Sequence, residues 1–257
     1  MNDRYKFHEF YKGKENELEY KIVQLPIYKN INSENIIITG LSPAIIKRGS
    51  EKEKKLLNDW DEIFETLNNV KRLKINIYNQ EILNSVCKIP NLSELIIQNS
   101  NFEDISPLKK LGKLTRLEIN YNSKLTNIDS ISNLKLKQLK LEQCFNITNY
   151  ETIGKIKTLK GLSLNGNWTA PKNLKINSLI PFEELNNLEH LDLDYSVVVD
   201  KSFESIFKMT KLKRFDYLST IKKETRLKIK NNHQSLVAGF FMDYDYDNNE
   251  FYEGKQW

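Results

Sequence analysis

His190, Asp192 and Asp194 are the residues of this chain best placed to do chemistry. They stand at i, i+2 and i+4, so on an extended strand the imidazole and both carboxylates share one face. Such a set could ligate a divalent cation. A metal site also needs groups behind its ligands that orient them and keep water out, and an open strand face offers none. The three residues read instead as an acidic contact patch for a basic partner. A second acidic run, Asp243, Asp245, Asp247 and Asn248, imitates the start of a calcium loop. Its twelfth position is Gly254, where a bidentate glutamate is required. Solvent-facing residues of a hairpin account for it, and no metal or cofactor is expected. No G-x-x-x-x-G-K, G-x-G-x-x-G, G-x-S-x-G or H-E-x-x-H occurs, and His8, His190 and His233 are far apart in sequence. Nine glycines in 257 residues leave little room for loops that cradle phosphate. The chain reads as a non-enzyme without catalytic residues.

What positions the acidic patch is a repeat. The pattern L-x-x-L-x-L, with Ile or Val sometimes in place of Leu, begins at Val70, Leu92, Leu114, Leu136, Leu159, Leu188 and Leu212, at spacings of 22, 22, 22, 23, 29 and 24 residues. A fixed period of this length marks a solenoid, in which each unit buries its apolar face only against its neighbours. Separations of three and then two fit no single helical face, which excludes a Leu-rich helical protein. On a strand, Leu117 and Ile119 point into the core while Glu118 and Asn120 point out. Three residues after the last strand apolar position comes Ser100, Asn122, Cys144, Asn167, Ser196 or Thr220, small polar side chains that can bond the backbone where the chain turns. Phe102, Ile105, Leu108 and Leu111 then recur at three-residue spacing, which suits a 3₁₀ or extended return. Pro107 limits any α-helix there.

The stretch "LSELIIQNSNFEDISPLKKLGKL" from Leu92 to Leu114 resembles the leucine-rich repeat in its short 22-residue form, as in bacterial internalins. Ser100 stands in the Asn place, and the frame holds over Val70–Thr220. The resemblance implies an α/β solenoid: a horseshoe with a parallel β-sheet on its concave face and 3₁₀, extended or short helical returns on its convex face. It also implies a bacterial protein that binds another protein on the concave sheet.

Outward strand positions stack into columns about 4.8 Å apart. One runs Arg72, Glu94, Arg116, Gln138, Gly161, His190, Arg214; the next runs Lys74, Ile96, Glu118, Lys140, Ser163, Asp192, Asp216. A third ends Asn120, Glu142, Asn165, Asp194, Leu218, with Tyr121 and Tyr195 one step further along. The surface is polar, of both signs and partly aromatic, as recognition surfaces are. The interval from Leu159 to Leu188 is seven residues longer than the basic repeat, and Asn165–Phe182 carries Trp168 in what reads as a loop. The expected partner-binding residues are Arg116, Glu118, Tyr121, Lys140, Glu142, Trp168, His190, Asp192, Asp194, Tyr195 and Asp216.

A solenoid needs both ends covered. Residues 1–69 read as an N-terminal cap, with a strand at Ile36–Ile38 and a helix over Leu56–Leu67, and residues 70–223 as the repeats. Residues 224–257 read as a C-terminal cap. It begins with one more strand, Glu224–Asn232, and ends in an aromatic β-hairpin, Phe240–Trp257. The net charge of +5, from 39 basic and 34 acidic residues, is too weak a bias for nucleic acid. No segment approaches the ~20 apolar residues that span a bilayer. Cys87 and Cys144 lie in separate repeats and read as buried thiols of a reducing compartment. The first 21 residues carry no apolar signal-like stretch, so a cytoplasmic setting is expected. The resulting expectation is a bacterial cytoplasmic adaptor, or an inhibitor or immunity protein that holds a toxin or enzyme. The alternative is an enzyme or nucleic-acid-associated protein whose activity lies in the non-repeat N-terminal region.

Overall fold

In the computed structural model, the residues described are 21–23, 31–38, 49–167, 172–219, 221–245 and 250–251. Eleven strands come from the solenoid: β1 (Lys21–Val23), β2 (Asn35–Ile38), β3 (Arg72–Ile77), β4 (Glu94–Ser100), β5 (Arg116–Asn120), β6 (Gln138–Glu142), β7 (Gly161–Asn165), β8 (Leu174–Ile176), β9 (His190–Asp192), β10 (Ser196–Val198) and β11 (Arg214–Asp216). Nine of these form one parallel sheet in chain order, β1 to β7, then β9 and β11. The register is the one the repeat demands. Leu95 pairs with Leu117, Leu117 with Leu139, Leu139 with Leu162, Leu162 with Leu191, and Leu191 with Phe215. All six are fully buried, and each contributes about 1.5–3 kcal/mol by leaving water.

The returns follow from local sequence. Ser106–Lys110, Asp129–Ile131, Tyr150–Lys155, Ile180–Glu184 and Glu204–Lys208 are single 3₁₀ turns. Pro107 and Pro181 each sit in the first turn of theirs, where a missing N–H costs nothing. Two of the described returns are α-helical: α1 (Glu51–Thr66), between β2 and β3, and α2 (Gln80–Val86), between β3 and β4. Asn79 caps α2, its Oδ1 accepting from the Ile82 N–H at 3.0 Å. Trp60 and Phe64 of α1 are buried with ring centroids 5.3 Å apart. β2 and α1 fall in the segment assigned above to the N-terminal cap. β1, which the sequence reading did not place, extends the sheet beyond them.

The expected strand at Glu224–Asn232 is instead a helix, α3 (Lys223–Asn232). The sheet edge it would have taken is occupied by a later segment. Val237 and Ala238 both donate to the Lys213 carbonyl, at 2.9 and 3.0 Å, and the Phe215 N–H donates to the Ala238 carbonyl at 3.3 Å. Coiled into a helix, the chain buries Ile229 and leaves Leu227 exposed; in a strand both would face the same way. The expected hairpin does not begin at Phe240. Phe240–Asp243 forms a turn of helix, α4, and among the described residues β12 (Tyr244–Asp245) and β13 (Glu250–Phe251) pair antiparallel. Asp247, Asn248 and Asn249, where the hairpin's turn is expected, lie outside the described residues.

The longer repeat is not merely a loop. Its extra residues supply β8, which pairs in parallel with β10 as a separate two-stranded sheet. Cys87 and Cys144 are both buried and free, and burial pushes each thiol up to about 12. Cys144 fills the turn place, its Sγ 3.6 Å from the Ile119 carbonyl and 3.5 Å from that of Glu142. Asn122 does the same more fully. It donates to the Phe102 carbonyl at 3.1 Å and accepts from the N–H groups of Lys124 and Leu125 at 2.8 and 2.9 Å.

Candidate recognition surface

The outward columns align as the register requires, but much of this face has withdrawn from water. Arg116, Glu118, His190, Arg214 and Asp216 are buried, contrary to the expectation that concave-face side chains stand in solvent. Oppositely charged residues two apart on a strand explain this, since they share a face and can close on each other. Arg116 Nε donates to Glu118 Oε1 at 2.9 Å, and its Nη1 lies 3.7 Å from Glu94 Oε2. Arg72 reaches the same carboxylate of Glu94 at 2.9 Å. Lys140 Nζ pairs with Glu142 Oε2 at 2.8 Å. Burial works against the charge on Lys140, but Glu142 beside it, with Glu118 and Asp192, outweighs burial and raises the amine above its ordinary value.

The far end of the sheet is denser still. Arg214 holds Asp216 with two hydrogen bonds, Nε to Oδ2 at 2.5 Å and Nη2 to Oδ1 at 3.0 Å, and His190 Nε2 lies 3.2 Å from Asp216 Oδ2. Burial alone would raise the Asp216 carboxyl; His190 and Arg214 outweigh it and hold the group below the usual carboxylate range. Asp192 is half-buried, and Ser163 Oγ and Asn165 Nδ2 both donate to its Oδ2 at 2.9 Å. Asp194 has the opposite environment. It is partly covered and its Oδ1 has no hydrogen-bond partner among the described residues. Burial first, then the charges of Asp192 and Asp216, push its carboxyl up to about 8 against the opposing pull of Arg214. His190, Asp192 and Asp194 therefore do not act as an open ligand set. Among the described residues no three His, Cys, Asp or Glu side chains are grouped to hold a metal.

Asp194 makes stability depend on pH. The folded protein keeps a proton there that the unfolded chain releases at ordinary carboxylate values, so this stability is complete below about pH 4 and lost as pH rises toward 8. Asp194→Asn keeps the neutral form at every pH. It should match wild type near pH 4 and exceed it by a few kcal/mol at pH 8.5. Urea unfolding at the two pH values measures this, and equal slopes in both proteins would refute it.

Of the expected contact residues among those described, Tyr121 and Tyr195 are the exposed ones, at 47% and 37%. Both hold left-handed backbone, φ 59 and 54, as does Gln143 at φ 55 in the corresponding turn. Non-glycine residues there cost of order 1–3 kcal/mol. The neighbouring repeat holds them in place: the Tyr121 N–H donates to the Glu142 carbonyl at 2.9 Å and the Gln143 N–H to the Asn165 carbonyl at 2.8 Å. Of the expected contact residues, Trp168 lies outside the described residues. Arg116, Glu118, Lys140 and Glu142 come together on β5 and β6, and His190, Asp192 and Asp216 on β9 and β11. Arg214, Ser163 and Asn165 belong to the same network and were not singled out. The signal for Arg214 was available in Arg-x-Asp at 214–216, the same spacing as Arg-x-Glu at 116–118.

No helix among the described residues is long and apolar enough to cross a membrane. No family model matches the chain, and no curated protein does. Solved structures do. A leucine-rich-repeat protein of Leptospira interrogans matches at 17% identity with a TM-score of 0.52, over 86% of this chain and 59% of that one. An internalin of Listeria monocytogenes matches at 17% identity with a TM-score of 0.45, over 74% and 55%. The chain thus spans little more than half the length of either. Together with the nine-stranded parallel sheet and its 22-residue register, the Leptospira likeness gives the fold: a leucine-rich-repeat solenoid.

Proposed function

We propose that this chain is a protein-binding module whose partner lies across the concave sheet, anchored on Tyr121 and Tyr195. The observation that carries the reading is the contrast on that face: two exposed tyrosines on strained turns beside charged columns that are paired among themselves. Tyrosine is favoured at binding hot spots, with near-neutral polar contacts excluding water around it. Two buried free thiols fit a reducing compartment. A bacterial cytoplasmic adaptor, or an inhibitor that covers a toxin or enzyme, is the role we assign.

The test must remove the aromatics without disturbing the sheet. Reversing Asp192 and Asp194 to Lys fails that requirement, because it forces a cation into the covered site of Asp194. Asparagine tolerates left-handed backbone better than tyrosine does, so Tyr121→Asn with Tyr195→Asn should leave the melting temperature unchanged or higher. Binding to a partner recovered by pull-down should weaken at least tenfold by titration calorimetry. A well-folded double variant that binds as wild type does would move the partner off this face.

A further inference from the structure

The longer repeat builds a second surface, which meets the concave face at Tyr195 and Leu218. One edge of β10 is satisfied by β8: the Leu174 N–H donates to the Tyr195 carbonyl at 3.0 Å, and the Val199 N–H to the Ile176 carbonyl at 2.8 Å. Beside the other edge, among the described residues, no strand pairs. There the Ser219 hydroxyl donates to the Ser196 carbonyl, and Tyr217 and Val198 both line the space beside it. A side-chain hydroxyl stands where the next repeat would have supplied a strand, because that repeat turns at Lys222 into α3. The space left is a groove of about 710 Å3.

The groove has an apolar wall and a cationic rim. Tyr195, Val197, Leu218 and Ile221 line it and keep part of their surface in water. Phe203 and Tyr217, edge to face at 5.1 Å, are buried beneath. Lys201 and Lys222 are exposed at its margin, and no Asp or Glu is among the lining residues. Elsewhere Lys71, Lys88, Lys157, Lys208 and Lys228 each pair with a carboxylate. Lys201 and Lys222 form no ion pair among the described residues.

We propose that this groove receives an extended acidic segment of a partner protein. An apolar side chain would lie on Val197 and Leu218, and carboxylates on Lys201 and Lys222. Charge complementarity selects the acid. The open form selects a peptide, since small-molecule sites enclose most of their ligand whereas Tyr195, Lys201 and Lys222 leave this groove facing solvent. Asn173, Ser219 and Thr225 along it offer partners for main-chain amides. The groove shares Tyr195 with the concave-face reading, but Val197, Lys201 and Lys222 belong to the groove alone, so substitutions there and at Tyr121 fail separately.

Selection of random heptapeptides on the full-length chain tests it. The strongest binders should carry Asp or Glu next to aliphatic or aromatic residues. Lys201→Asp with Lys222→Glu should weaken the best binder at least tenfold by fluorescence polarisation, as should Val197→Arg. Tyr121→Asn should leave it unchanged. Lys201 keeps a left-handed φ of 54, which aspartate accepts, and circular dichroism checks that each variant folds. The proposal is overturned if no peptide is enriched, if the winners are basic or uncharged, or if Tyr121→Asn abolishes their binding. It is also overturned if the wild type sediments as a dimer that Val197→Arg splits, for then a second copy fills the groove.

Discussion

Leu117→Asp should leave the chain unfolded at room temperature. Leu117 is fully buried and its register neighbours are Leu95 on one side and Leu139 on the other. Truncating a core leucine costs about 2–5 kcal/mol, and a carboxylate between two apolar layers adds a desolvation penalty of several more. The sum rivals the whole stability of a typical domain, about 5–15 kcal/mol. A solenoid has no second core to fall back on, because each unit is stabilised by its neighbours alone. Circular dichroism on the purified variant should show loss of the sheet. A cooperative melt close to that of wild type would mean that the assigned frame is wrong.

Asp216→Ala should cost about 3–5 kcal/mol, the usual penalty for breaking a buried pair from one side. The variant leaves Arg214, at 6% exposure, without the carboxylate that holds it with two hydrogen bonds. Replacing the pair together, Arg214→Met with Asp216→Leu, should recover much of the loss, because the Arg214 cation is then removed along with the carboxylate that held it. Urea unfolding of the three proteins at neutral pH separates the cases. If the single and paired substitutions are equally damaging, the loss comes from packing and not from a stranded charge.

The inward half of this molecule was legible in its sequence; the outward half was only half so. Leu95, Leu117 and Leu139 recur at one period and can lie in only one register, so fold, strands and returns followed. The columns Arg116–Gln138 and Glu118–Lys140 were placed correctly for the same reason. What the period could not say was whether those side chains reach water. That depends on which charge lies beside which across the sheet, as when Glu94 meets Arg72 and Arg116 together. Leu227 and Ile229 misled because their two-residue spacing imitates a strand, while the edge they needed was already taken by Val237 and Ala238. Extra length between Leu159 and Leu188 announced an insertion, but its pairing with β10 involves residues about twenty positions later and left no local mark.

Strand order has a consequence for how the chain comes to be folded. Parallel sheets generally form slowly, because each pairing must close a long loop before it gains anything. Here β3 to β7 follow one another directly, with partners 22 or 23 residues away, and 22 over 257 is a ratio of about 0.09. That value belongs to helical bundles rather than to sheets. A chain emerging from the ribosome can therefore lay down each unit on the last without waiting for a distant strand, and only its growing end is exposed at any moment.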